Sequence, residues 1–199
     1  MQFMPFNKLW LRELEAPVFG SLCFNSQDGN VICCLVDGHV VALNLDGTII
    51  WKVKTSGPIF AGPCISYALP SQVLICSRDG IIYSFELAKG DLLWKHNIGD
   101  PITSSAYVDE QLELVQSCCL PSDRLICVCA SSGSIYLLRV CSIFAGELSG
   151  LREDVVEEFA RFDLQGDIFS SPVMIAGQIF VGCRDDYVHC LGLETKPQI

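Results

Sequence analysis

All three tryptophans of the chain, Trp10, Trp51 and Trp94, are spaced 41 and 43 residues apart. Each is followed eight positions later by an aliphatic residue, Val18, Ile59 or Ile102. A period of this size marks a supersecondary unit copied along the chain, a unit that cannot bury its apolar faces alone and stacks on its neighbours. The phrase around each aliphatic anchor recurs as Ala16-Pro17-Val18-Phe19-Gly20-Ser21, Gly57-Pro58-Ile59-Phe60-Ala61-Gly62-Pro63, Asp100-Pro101-Ile102-Thr103-Ser104-Ser105 and Gly166-Asp167-Ile168-Phe169-Ser170-Ser171-Pro172. Pro63 and Pro172 occupy the same slot of their units.

A second phrase follows each first one. It is a run of β-branched and aromatic residues broken at Asp37-Gly38, Asp79-Gly80, Ser132-Gly133 and Asp185-Asp186. Such runs favour strands, and Asp-Gly supplies the positive φ of a two-residue primed hairpin turn. Asp186 stands where the other copies have Gly38, Gly80 and Gly133, so a looser turn is expected there. A further turn at Asp46-Gly47 or Lys89-Gly90 leads into the strand that carries Trp51 or Trp94. Four strands in about 42 residues is the arithmetic of one blade of a β-propeller, an all-β fold. The units run approximately 14–55, 56–98, 99–163 and 164–193, with 7–13 as a lone leading strand around Trp10. Sixteen strands make four blades if the leading strand completes the last one; otherwise the chain is the end of a larger ring.

Segment 151–160 breaks the pattern. Its apolar positions, Leu151, Val155, Val156 and Phe159, fit one face of a short helix. The same residues fit the outer strand of the third blade, with Phe159 or Phe162 in place of tryptophan. This insertion and the loop Asp109-Glu110-Gln111-Leu112-Glu113 are the least repetitive stretches, and so the expected places for partner-specific contacts.

The formal net charge of −10 argues against a phosphate-backbone or anionic-membrane partner, both of which need clustered Lys and Arg. No apolar run reaches the roughly 18 residues of a membrane-spanning helix, and Met1 to Lys8 lacks the charged and apolar regions of a secretory signal. The expected setting is therefore the reducing cytoplasm, where the twelve cysteines act as small apolar residues. No two of them have the C-x-x-C spacing of a metal knuckle.

The phrases Gly166 to Pro172, Phe180 to Asp186 and Lys89-Gly90-Asp91-Leu92-Leu93-Trp94 resemble the propeller repeat named after pyrroloquinoline quinone (PQQ). More narrowly, Phe169 to Val173 with Gly182 to Leu191, and Trp51 to Pro63, resemble the C-terminal tail of the β-alanine-activating enzymes, the acyl-CoA synthetase family member 4 group. The resemblance extends from about Lys8 to Leu193. It implies a longer ATP-dependent ligase in which an adenylating domain activates an amino acid, a carrier domain holds it as a thioester, and the propeller follows. Neither an adenylate loop nor a G-x-x-x-x-G-K loop occurs in these residues. Gly20-Ser21-Leu22 superficially matches a carrier attachment serine but falls at the start of a repeat.

Quinone-dependent members of the repeat class use a vicinal cysteine pair and calcium-binding carboxylates. Cys33-Cys34 lies inside an expected strand, its side chains on opposite faces, and Cys118-Cys119 lies in a long insertion. No calcium-ligand spacing accompanies either pair, so no cofactor is expected. His39, His96 and His189 have no evident nucleophile beside them. The sequence thus implies no catalytic or metal residue, and Trp10, Trp51, Trp94, Asp37, Gly38, Asp79, Gly80, Gly133, Asp185, Pro63 and Pro172 as structural anchors. The expected partner is another protein or the missing adenylating and carrier domains; the competing readings are a PQQ-dependent oxidoreductase and a free-standing interaction propeller.

Overall fold

A computed structural model describes residues 6–26, 28–112, 114, 120, 122–144 and 152–193. It contains four antiparallel sheets, each with its strands in chain order. Blade 1 comprises β1 (Cys23–Phe24), β2 (Val31–Cys34), β3 (His39–Leu43) and β4 (Ile49–Lys54). Blade 2 comprises β5 (Cys64–Ile65), β6 (Gln72–Cys76), β7 (Ile81–Glu86) and β8 (Leu92–Asn97). Blade 3 comprises β9 (Tyr107–Val108), β10 (Arg124–Cys129), β11 (Ser134–Phe144) and β12 (Arg152–Asp163). Blade 4 has three strands, β13 (Val173–Ile175), β14 (Gln178–Gly182) and β15 (Val188–Gly192). These are propeller blades, as the repeat implies.

The central hairpins differ from the expected two-residue primed turn. Gly38 N–H donates to Leu35 O at 3.0 Å and Leu35 N–H to His39 O at 2.8 Å, and among these turn residues only the glycine has positive φ, +92°. Gly80 and Gly133 repeat this with φ of 82° and 103°. In blades 1 and 2 the aspartate supports this turn: Asp37 Oδ1 accepts the His39 amide at 3.2 Å and Asp79 Oδ1 the Ile81 amide at 3.1 Å; blade 3 forms the same turn with Ser132 in that place.

Blades 1 to 3 each bury two faces. Ile32, Cys34, Val40 and Ala42 of blade 1 face blade 2, while Cys33, Leu35, Val41 and Leu43 face the other way and are covered by Leu14 and Ala16 of the leading segment. Blade 3 presents Cys127, Cys129, Ile135 and Leu137 to Met174, Ile179 and Val181 of blade 4. Sandwiching explains why β2, β6 and β10 are almost wholly buried and why their sequences are near-continuous apolar runs rather than alternating ones.

Trp51 locks blade 1 to blade 2. Trp51 on β4 donates its Nε1–H to Leu87 O at 2.8 Å and lies over the turn glycine of blade 2, where a Cβ on Gly90 would stand 2.8 Å from the indole. Trp10 repeats the arrangement one unit earlier, donating to Leu45 O at 2.7 Å and lying over Gly47. Trp94 donates to Gln72 Oε1 at 3.1 Å within its own blade, and the matching turn of blade 3 lies outside the described residues.

In blade 3 the irregular segment is the strand β12, not a helix. Its tryptophan slot is filled by neither Phe159 nor Phe162 but by Ala160. All three four-stranded blades carry a bulge at the same place: Ala42 pairs Trp51 and Leu43 pairs Ile49, Ser84 pairs Trp94 and Phe85 pairs Leu92, Leu137 pairs Ala160 and Leu138 pairs Glu158. The residue skipped is Ile50, Leu93 or Phe159. With alanine in the slot, a cavity of about 180 Å³ opens among Ile135, Leu137, Ala160, Ile179 and Leu191, between blades 3 and 4.

Among the described residues the ring does not close. Residues 7–13 run along blade 1 without joining a sheet, and blade 4 has three strands among the described residues. The blade 4 face made by Phe180, Gly182, Val188 and Cys190 matches in register the faces that blades 1 to 3 bury. Val188 is 76% exposed, whereas its counterparts Val40, Ile82 and Ile135 are 0%, 0% and 3% exposed. The described blades form an open arc.

The last hairpin keeps its closing bond, Cys183 N–H to Tyr187 O at 3.0 Å, with Asp186 at a φ of 69°. The inner bond made by Gly38, Gly80 and Gly133 has no counterpart there among the described residues, which is the looser turn expected. Left-handed geometry costs a non-glycine residue about 1 kcal/mol, partly offset by the greater unfolded-state freedom of glycine. Asp186→Gly should therefore raise stability by roughly 0.5 kcal/mol, seen as a higher urea midpoint at unchanged slope.

Candidate functional site

The segments leading into the first strands of blades 2, 3 and 4 meet at the inner rim. Gly62 N–H donates to Ser105 Oγ at 2.9 Å and Ser105 N–H to Ser171 Oγ at 3.0 Å, stitching three blades together. Small residues are required here: a Cβ on Gly20 would lie 2.4 Å from the Ala61–Gly62 backbone. Pro63 and Pro172 are buried just after these contacts, where the missing N–H at the start of a strand costs no ladder bond.

Above this rim is a cleft of about 550 Å³ lined by Phe60, Arg78, Asp100, Thr103, Ser131, Asp167 and Phe169 among others. Its walls repeat with the blades. Arg78 lies 6.0 Å from the Phe60 ring centroid in blade 2, and Arg184 lies 5.7 Å from that of Phe169 in blade 4, both cation–π geometries. Blade 3 has Thr103 and Ser131 in the matching places, hydroxyls 3.2 Å apart. Asp100 is hydrogen-bonded by the Ser132 hydroxyl, and Asp167 faces Arg184 at 3.4 Å. The cleft thus offers an arginine on an aromatic face, Arg78 on Phe60, beside the carboxylates of Asp100 and Asp167, chemistry suited to holding polar and aromatic groups.

A second polar feature lies on the hairpins. The free carboxylate oxygen of each turn aspartate meets a side chain of the following strand: Asp37 with His39 Nδ1 at 2.8 Å, Asp79 with Tyr83 Oη at 2.9 Å, Asp185 with His189 Nε2 at 2.8 Å. Desolvation pushes the Asp37 and Asp185 carboxyls up, but the His39 and His189 side chains, with the backbone amides, outweigh it and hold both below the ordinary value. In blade 4 the pair is joined by Cys183. One donor atom each from Cys183, Asp185 and His189 lies within 4.8 Å of the others.

The structure places Cys183 and Asp185 beside His189, a grouping that nothing in the sequence marks. Residues 183, 185 and 189 are separated by a turn, and it is the antiparallel return of β15, pairing Val181 with His189, that brings the imidazole back over the carboxylate. His39 meets only its turn aspartate among the groupings described above, and His96 sits on β8, where burial lowers its pKa against the opposing pull of Glu158. Asp109 is buried and accepts the Leu114 amide at 2.9 Å, and Glu110 accepts the Ala68 amide of blade 2 at 3.3 Å; Glu113 lies outside the described residues.

Cys33 and Cys34 point to opposite faces of β2, into two separate apolar clusters. Burial pushes the Cys33 thiol up to about 11 and the Cys34 thiol well above its ordinary value. Burial likewise pushes Cys23 and Cys64 to about 12. Thiols so shifted are poor nucleophiles at neutral pH. Cys118 and Cys119 lie outside the described residues. Ten described cysteines are free thiols.

Residues 3–193 match the family model described as the β-propeller of β-alanine-activating enzyme. A β-alanine-activating enzyme of Danio rerio is 29% identical over 201 residues, spanning 92% of this chain and 16% of that protein. One of Homo sapiens is 29% identical over 160 residues, spanning 79% of this chain and 12% of that protein. The chain therefore covers less than a fifth of either relative. Among solved structures, the C-terminal WD40 domain of Sif2 superposes with a TM-score of 0.64 at 16% identity, over 92% of this chain and 47% of that one, a likeness of fold. With the repeat, the blades and the inter-blade tryptophan Trp51, the match across nearly the whole chain shows that it belongs to the β-alanine-activating enzyme β-propeller family.

Proposed function

We propose that the chain is a non-catalytic propeller module, the scaffold and interaction part of a longer amino-acid-adenylating protein of the acyl-CoA synthetase family. The observation that carries this reading is the blade 4 face on which Val188 and Cys190 are exposed beside a half-buried Phe180, apolar like the faces that blades 1 to 3 bury. A surface of that composition is built to be stacked upon. Its occupant is a further blade of the same protein, whose opposing face resembles that of Cys33, Leu35, Val41 and Leu43. The small share of the relatives' length that the chain spans supports the same conclusion. The cleft of Phe60, Arg78, Asp100 and Asp167 then serves as a contact surface for the adenylating or carrier domains. Neither PQQ, nucleic acid nor membrane has a role in this reading, and its setting is the cytoplasm.

A photo-crosslinker placed at position 188 of the complete gene product tests it. Crosslinks are expected to map to another blade of the same polypeptide. Crosslinks to a second copy of residues 6–193 would replace the reading with a homo-oligomer. The chain by itself should give no β-alanine-dependent ATP–pyrophosphate exchange above background; exchange would overturn its non-catalytic character.

A further inference from the structure

The hairpins of blades 2 and 4 are built on one plan. In blade 2, Ser77 Oγ donates to Pro58 O at 3.3 Å while Asp79 binds Tyr83. In blade 4, Cys183 Sγ donates to the equivalent Asp167 O at 3.6 Å while Asp185 binds His189. The backbone scaffold and the hydrogen bonds are shared, but serine has become cysteine and tyrosine has become histidine. Both changes replace a neutral hydroxyl by a metal-binding group. Blade 1 has Leu35, Asp37 and Val41 at these positions and blade 3 has Ala130, Ser132 and Tyr136, so neither offers such a set.

Thiolate, imidazole and carboxylate together are the donor set of zinc, and three protein ligands with a solvent position is a recurrent zinc arrangement. Donor atoms already within 4.8 Å of one another need only a small contraction to the roughly 2.0–2.3 Å bonds of that ion. All three side chains are half-buried, so the ion has access and water can fill the remaining position. Gly166 backs the site: a Cβ there would stand 2.8 Å from Cys183 Sγ.

We infer that Cys183, Asp185 and His189 form a zinc site on the last hairpin of the arc. On binding, Zn²⁺ takes a lone pair of the Cys183 sulfur, whose proton passes to solvent, and sits between Asp185 and His189 Nε2, any proton on that nitrogen moving to Nδ1 or to solvent. The bound ion ties the start of β15 to the end of β14, reinforcing the looser hairpin of the chain.

The test is calorimetric titration of ZnCl₂ into the reduced chain, with Co²⁺ absorption as a second readout. One saturable site per chain is expected, with a thiolate-to-cobalt charge-transfer band. Cys183→Ser and His189→Tyr should each weaken binding at least about tenfold. The double variant C183S/H189Y rewrites the hairpin with the blade 2 residues, so it should keep the wild-type circular dichroism and melting curve yet bind no metal and show no cobalt band. Absence of saturable binding by the wild type, or unchanged binding by the double variant, overturns the site.

Discussion

Trp51→Ala should lower the unfolding free energy by about 3–5 kcal/mol, the range for deleting a buried tryptophan. Three contributions fall together. The indole is removed from between blades 1 and 2, leaving a void there; the Leu87 carbonyl loses its only described side-chain donor; and the turn glycine Gly90 loses the ring that lies over it. Because repeat arrays derive stability from neighbour interfaces, the loss should also reduce cooperativity between blade 1 and the rest. Trp10→Ala makes the matching deletion at a residue 43% exposed, against 7% for Trp51, and should cost less than half as much. Urea unfolding followed by circular dichroism measures both. Equal costs for the two variants would contradict the inter-blade role assigned to Trp51.

The hairpins and the blade count were legible because their determinants are local. An aspartate followed by glycine between β-branched runs forces a chain reversal whatever surrounds it, and the period of the tryptophans places one reversal per blade. The turn type was not legible. Asp37 and Asp79 cap the amide two residues on, but Ser132-Gly133 forms the same wider turn, so the dipeptide marks the reversal and not its type.

The slot taken by Ala160 was hidden for a different reason. The bulge that skips Ile50, Leu93 or Phe159 shifts the side-chain alternation by one, and no residue type marks it. Aromatic identity pointed to Phe159 and Phe162, whereas register gave the position to an alanine. The grouping of Cys183, Asp185 and His189 escaped notice because each residue, taken alone, fits an ordinary hairpin. Only superposing blade 4 on blade 2 shows two coordinated departures. The open arc is least legible of all: Phe180, Val188 and Cys190 read like any buried blade face, and burial depends on what stacks against them.

That last point can be tested with one pair of variants. Ile82 and Val188 occupy the same position of blades 2 and 4, the first fully buried and the second 76% exposed. A lysine at the buried site must bring an unpaired charge into the interface between blades 2 and 3, so Ile82→Lys should destabilise the chain by more than about 4 kcal/mol or prevent folding. At the uncovered site the ammonium stays in water, so Val188→Lys should change stability by no more than about 0.5 kcal/mol and should reduce binding of a hydrophobic dye. The decisive measurement is the urea midpoint of Val188→Lys set beside that of Ile82→Lys. An open arc of stacked blades predicts a near-wild-type midpoint for the first and collapse for the second; a loss at Val188 as large as that at Ile82 would mean that the face is covered within the chain, contradicting the open arc.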